Sequence, residues 1–394
     1  PSMAVKNLPA KIVDKIKITD YKTDQEKATG ITNMVSHDKE MDISLKKEYE
    51  KGWFGNAKLA GGSPLSSEDN KNQPVIVERD VLYNGSVMLS GYNEKEQVTF
   101  VANAKNVDDV GANDMIVVSY GSLGDLLPDS GLTTSRQLGA NYNSSRIKGF
   151  DFSSSVNYNG TEVDTETLTK RTTMQENAPS IFTNTSYLGQ TTLDRLNVSL
   201  DLNKTDKKKY TVRISPKLVY RKGSSESYKD IATSREMEDY SSVSSLLNTS
   251  EAKDYSESDN FTYSTNVILG RSNWGKQNRN ITFTGSFSIK GEDKQRKEFS
   301  DIFYNESAIS DTRDLYYNTK SEGGGYSATL SYVEPVGKNW KISTEVASSL
   351  SRNDVTTDAY KYTGGEHCFV AGFPDKDRYS EYDDYYSAVS ENRY

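Results

Sequence analysis

The chain has 394 residues, 34% hydrophobic and 26% charged, with a formal net charge of -8 and a pI near 5.2. No run approaches the roughly 20 apolar residues of a spanning helix, and the acidic balance argues against a nucleic-acid partner. A single cysteine, Cys368, beside His367, one of two histidines, leaves no internal disulfide framework and too few ligands for a Cys/His metal cluster.

Pro1–Lys6 lacks the apolar core that precedes a cleavage site, so the start reads as lying inside a domain and the chain as a fragment of an exported protein. Asn7–Ile18 reads as a short helix running into a strand. Pro9 suits a first helical turn, Ile12, Val13 and Ile16 make an apolar stripe, and Lys15–Ile18 then alternates, as does Met41–Leu45. The first 50 residues are therefore expected to form a small mixed α/β unit, too short to hold a core alone.

From Gly52 a period-2 pattern takes over. Val87 and Leu89 alternate with Ser86, Met88 and Ser90; Phe150, Phe152 and Val156 with Asp151, Ser153 and Ser155. Leu196, Val198 and Leu200 alternate with Asn197, Ser199 and Asp201; Ile281, Phe283 and Phe287 with Thr282, Thr284 and Ser286. The clearest case is Tyr326–Leu350, where two alternating runs flank a turn at Glu334–Asn339 containing Pro335 and Gly337. Successive side chains of a strand point to opposite faces, so each run has one apolar face and one face of Ser, Thr, Asn and charge. Counted this way there are eleven strands.

The connections alternate in length. Short ones fall near 92–96, 144–148, 205–208, 271–278 and 334–339; long ones near 63–79, 107–131, 160–190, 222–259, 291–324 and from 351 onward. Antiparallel neighbours joined this way put the tight turns at one end and the long loops at the other, as in an outer-membrane barrel. Strands of about ten residues match a tilted crossing of hydrocarbon, and terminal Tyr and Phe match an interfacial girdle. The expected fold is all-β: part of an antiparallel transmembrane β-barrel over residues 52–394. Val87, Phe152, Val198, Ile214, Phe283 and Leu330 are expected to face lipid, and Ser86, Ser153, Ser199, Ser215, Thr284 and Ser331 the lumen. An open barrel leaves backbone groups unpaired in lipid, so more strands are expected beyond Tyr394.

No catalytic constellation, cofactor site or metal site emerges. The acidic run Asp375, Asp377, Glu381, Asp383 and Asp384 lacks the spacing of a calcium loop and reads as a solvated loop. Gly323–Gly325 reads as a bend, because no helix follows it to cradle a phosphate. Tyrosines give rigid contact area with a polar handle. Tyr316, Tyr317, Tyr382, Tyr385 and Tyr386 are the ligand-binding candidates, expected where long loops converge.

Three patches resemble a known family. Lys6–Ile18 resembles the plug segment of TonB-dependent outer-membrane receptors, Asp20–Gln25 with Lys51–Asn56 resembles the plug-to-barrel junction of the Bacteroidetes type, and Tyr332–Trp340 is similar to a periplasmic hairpin of that type. The resemblance implies that residues 1–51 are the C-terminal part of a plug domain, with Leu8–Ile18 inside or beneath the barrel, and that the parent is a 22-stranded barrel. It implies an outer-membrane receptor that binds a scarce solute (glycan, siderophore, peptide or metal chelate) and imports it with an inner-membrane energy complex of the TonB type, reached through a segment absent from this chain. The alternative is a surface adhesin or structural barrel without transport.

Overall fold

A computed structural model describes residues 13–20, 39–45, 51–63, 81–107, 132–175, 178–206, 210–235, 246–336, 340–363, 381–382 and 387–393. All regular structure among them is β. Strand β1 (Val13–Asp20) pairs antiparallel with β2 (Lys39–Leu45), with Ile16 opposite Ile43 and Ile18 opposite Met41. The alternation at Lys15–Ile18 and Met41–Leu45 thus marks real strands. Val13 and Ile16 belong to β1, so the helical stripe expected to include them is not formed. Ile16, Ile18 and Met41 are exposed, so the described residues do not show this segment buried within a larger body. Residues 1–12 lie outside the description.

The eleven expected strands are all present: β3 (Gly52–Gly62), β4 (Leu82–Tyr92), β5 (Glu96–Lys105), β6 (Leu132–Ser144), β7 (Phe150–Gln175), β8 (Ala178–Asp206), β9 (Tyr210–Ser234), β10 (Leu246–Ser272), β11 (Asn280–Tyr304), β12 (Ile309–Val336) and β13 (Trp340–Lys361). Each pairs antiparallel with its sequence neighbours in one meander, and the short β14 (Glu381–Tyr382) and β15 (Ala388–Arg393) both pair with β13, making 13 strands in the sheet. β3 has only β4 beside it, and the described sheet does not close on itself.

Four expected long loops are corrected. Segment 160–190 belongs to β7 and β8, whose ladder runs as far as Gln175 opposite Ala178. Segment 222–259 is mostly β9 and β10, and 291–324 is β11 and β12 joined by a turn at 305–308. β13 continues to Lys361, and Glu381–Tyr382 forms β14 within what was expected to be loop. The reason is that hydrophobic alternation reports burial or lipid contact and not pairing itself. These extensions are rich in Ser, Thr and charge on both faces, yet their backbone groups still satisfy one another across the ladder. Segments 64–80 and 108–131 lie outside the described residues.

Turn chemistry follows the sequence at the short connections. Asn93 Oδ1 accepts from the backbone N–H groups of Lys95 and Glu96, each at 2.9 Å, an Asx turn. In the β10–β11 connection Asn273 and Asn278 adopt φ of 56° and 66°, which Asn tolerates better than most residues, and Asn273 Oδ1 accepts from the N–H of Asn278 at 2.8 Å. Pro335 is the penultimate residue of β12, opposite Lys341, where a missing donor interrupts little of the ladder.

The register assigns every side chain to a face. Val87, Phe152, Val198, Ile214, Phe283 and Leu330 share one face, and Ser86, Ser153, Ser199, Ser215, Thr284 and Ser331 share the other. Burial is inverted relative to a soluble sheet. Leu138, Phe283 and Leu330 on the apolar face are 58, 37 and 45% exposed, whereas Ser90, Thr282 and Ser331 on the polar face are 1, 2 and 5% exposed. The buried apolar residues Met88, Val101, Leu193, Val219 and Val333 also lie on the polar face. The polar face of this sheet is thus the more closely packed of the two.

Candidate functional site

The exposed apolar residues form a band that crosses every strand of the meander. One rung reads Ala57, Val87, Ala102, Leu138, Tyr158, Leu196, Tyr220 and Phe261 across eight consecutive strands. A second reads Val212, Leu269, Phe283, Leu330 and Val346. No described helix is long and apolar enough to cross a membrane, which leaves crossing by strands open.

The band has sharp limits. Immediately past its long-strand side the same face carries Arg136, Gly160, Asp194, Lys222, Asp259, Asp293 and Lys320 in one rung. Tyrosines mark the boundary. The hydroxyl of Tyr158 donates to Asp194 at 2.6 Å and that of Tyr220 to Asp259 at 2.8 Å, so each ring lies on the band with its polar tip directed into the charged rung. On the tight-turn side Trp53, Trp274 and Trp340 are exposed, and Arg271 sits 5.6 Å from both the Tyr210 and the Trp274 rings. Gly91 opposes Trp53, and a Cβ at Gly91 would come within 2.7 Å of three atoms of that indole, so the glycine makes room for the ring to lie flat on β4.

The turn side also holds a compact ionic group. Arg279 donates to both carboxylate oxygens of Glu334, at 2.7 and 2.9 Å, and the Tyr332 hydroxyl donates to Glu334 at 2.6 Å. Lys276 donates to Glu334 at 3.4 Å and to the carbonyl of Pro335 at 2.6 Å. These donors, Arg279 first and Tyr332 next, hold the Glu334 carboxyl down to about 2. The cluster ties the β10–β11 connection to the end of β12.

Of the ligand-binding candidates, Tyr316 and Tyr317 lie inside β12 and not at a loop tip, and being adjacent they point to opposite faces. Tyr316 is buried, with its ring 6.2 Å from Tyr360, which is 5.7 Å from Tyr382 on β14. These three rings adjoin one another across β12, β13 and β14, tilted in the first pair and edge-to-face in the second, on the face that carries the apolar band lower down. Tyr317 lies on the polar face, 5.9 Å from the Arg296 guanidinium, which donates to Asp254 at 2.6 Å. The candidates are thus divided between two surfaces, and Tyr385 and Tyr386 lie outside the described residues. Sequence reading missed Tyr360, whose place in the ladder is set by its register with Tyr316. Nearby, burial and a 2.6 Å bond to Glu257 push the Tyr255 hydroxyl up to about 12.

A groove of about 750 Å³ straddles the band's upper limit, between Phe261, Phe287 and Tyr326 below and Asp259, Asp293 and Lys320 above. Its floor is made by the glycines of β11 and β12, Gly291 and Gly323–Gly325. Among the described residues no group of three or more His, Cys, Asp or Glu could hold a metal ion. No protein-family model, no curated protein and no solved structure matches the chain.

Proposed function

We propose that this chain is part of the wall of a transmembrane β-barrel in a bacterial outer membrane, with the apolar face in lipid and the polar face toward an aqueous lumen. The exposed apolar band is the observation that carries the reading. On β10 it spans Phe261–Leu269, roughly 30 Å of strand at ~3.3 Å per residue. At a tilt of ~40° that is about 23 Å of height, against ~25 Å for the apolar band of such barrels. A soluble sheet exposing so much contiguous apolar surface would aggregate. The Tyr rim and the Trp-rich turn side correspond to two interfacial girdles, and the strand extensions beyond the Tyr rim correspond to the surface-exposed part.

Within that frame the reading is a solute receptor of the TonB-dependent kind. It rests on the resemblance of Lys6–Ile18, of Asp20–Gln25 with Lys51–Asn56, and of Tyr332–Trp340 to that family, with outer-membrane lipid, a TonB-type energy complex and an unidentified solute as partners. A second reading, a surface barrel without transport, is favoured by one observation: Ile16 and Ile18 are exposed and not enclosed by the sheet. Single cysteines at Leu330 and Ser331, in a Cys368→Ser background, test the membrane reading. A bilayer-resident quencher should reach the Leu330 probe and a membrane-impermeant thiol reagent only the Ser331 position; the reverse pattern removes it. Transport is tested by solute uptake with and without the inner-membrane energy complex.

A further inference from the structure

The groove at the upper limit of the apolar band lies where two halves of one face meet. Below it Phe287, Tyr326 and Leu350 form an apolar rung, and all three are exposed. Above it Asp259, Asp293 and Lys320 form a charged one. Between them the same face carries Gly324 on one rung and Gly291 on the next. Two missing side chains on adjacent strands open the hollow, and a Cβ on Gly291 would collide with the Phe261 ring that lies against it. The volume of about 750 Å³ falls in the ~300–1,000 Å³ range of small-molecule sites.

Charge decides the occupant. Tyr220 donates to Asp259 at 2.8 Å, and Arg352 pairs with Asp354. Asp259 and Asp293 nonetheless stand directly opposite each other, and like charges at such positions repel. Glu322, across the ladder from Gly291, brings a further carboxylate to the hollow. Lys320 is opposite Asp293 and two positions from Glu322 on the same face, about 7 Å along the strand at ~3.3 Å per residue. A purely anionic head would meet the carboxylates, and a purely cationic one would meet Lys320. A head carrying a primary ammonium beside a phosphate satisfies both signs. The ammonium donates to Asp293 and Glu322 over Gly291, and the phosphate accepts from Lys320, in charge-assisted bonds. A water-soluble molecule bearing those groups has nothing to lay on Phe287, Tyr326 and Leu350, whereas an acyl chain does.

We propose that this groove seats one phospholipid of the phosphatidylethanolamine class, its head between Asp293, Glu322 and Lys320 and an acyl chain along Phe287, Tyr326 and Leu350. The proposal rests on the apolar band lying in lipid, as in the barrel reading, and goes beyond it in selecting a headgroup.

The test uses the full chain folded in non-ionic detergent micelles. Phosphatidylethanolamine, phosphatidylglycerol and phosphatidylcholine of equal chain length are titrated separately. Retained lipid is counted by native mass spectrometry, and affinity is read from the thermal midpoint. One saturable phosphatidylethanolamine is expected, bound about tenfold or more tightly than either of the others, the scale of one charge-assisted bond. Asp293→Asn with Glu322→Gln should abolish the preference over phosphatidylglycerol, and Lys320→Gln should weaken phosphatidylethanolamine binding about tenfold. All three side chains are exposed, and circular dichroism checks that the sheet forms. Glu162→Gln, which changes a carboxylate of the same face on β7, should leave binding within about twofold. Equal retention of the three lipids by the unaltered chain overturns the site, as does no saturable retention, tighter binding of either other lipid, or a preference unchanged when Asp293 and Glu322 are both replaced. Quenching at Leu330 by a bilayer-resident quencher is read separately in vesicles. Loss of that signal removes the membrane reading, whereas its presence without a lipid preference removes the groove alone.

Discussion

At the scale of single residues, the polar tips decide orientation. Tyr158 and Tyr220 have rings compatible with hydrocarbon and hydroxyls that need partners when desolvated, and each finds a carboxylate one step past the apolar band. Glu334 plays the corresponding part at the turns. Its carboxyl is depressed from 4.5 to about 2, so its contribution is fully present above the ordinary carboxylate pKa and is lost as pH falls from about 4.5 toward 2. Replacing Glu334 by Gln should flatten the acid limb of the thermal-midpoint curve in that window while leaving the curve between pH 6 and 8 parallel to that of the unaltered chain. An acid limb of unchanged slope in the variant would show that the Arg279–Glu334 contact contributes nothing to folding.

At the scale of elements, the long strands are the finding that alternation did not anticipate. β7 to β13 run well past the apolar band, and their continuity depends on close approach at glycines. A Cβ on Gly324 would meet the carbonyl oxygen of Ser288 at 2.7 Å, and one on Gly325 that of Leu350 at 2.5 Å. Both obstacles are backbone, one on each flanking strand, and neither can rotate away. Gly324→Val and Gly325→Val should each destabilise the fold by about 1–3 kcal/mol, the usual cost of forced overpacking, measured by urea unfolding in micelles. Gly62→Ala is the control, since a Cβ there meets nothing within 4 Å. Equal stability of the Gly324 and Gly325 variants would mean that β11, β12 and β13 can separate at this level without loss.

At the scale of the whole molecule, the inversion of burial sets the energetics. On the proposed reading, a sheet with Leu138 58% exposed and Ser90 1% exposed gains from an apolar medium against one face and a polar one against the other. Arginine placed at Leu269, inside the band, should reduce folding stability in a bilayer by about 2–4 kcal/mol, the cost of a basic side chain near the midplane. Arginine at Ser286, on the opposite face, should cost far less. Unfolding titrations in lipid vesicles measure both, and equal costs at the two positions would deny that the faces meet different media. Among the described residues two stretches of edge remain at this scale, β3 and the first half of β13, which β14 and β15 do not cover and where Trp340, Val346 and Leu350 are exposed; unpaired edges are where other strands can pair.

What the sequence determined was the set of eleven strands, their order and their faces. Period 2 is a local property: a one-residue slip would move Phe283 and Leu330 to the polar side and Thr284 and Ser331 into the apolar band, so alternation fixes facing wherever one face is apolar. The short connections were legible for the same local reason, as the breaks between alternating runs. Where both faces are polar, as in 160–190 and 222–259, composition no longer distinguishes a paired strand from a solvated loop, and only the ladder itself decided. The functional surfaces were less legible still. Tyr316 and Tyr360 are neighbours, and Tyr316 and Tyr317 are divided between faces, because of register and parity across strands. Asp259 and Asp293, 34 positions apart in the sequence, stand opposite each other for the same reason. Cross-strand pairing brings together residues with no local signal of one another, and that is what the tertiary structure supplied.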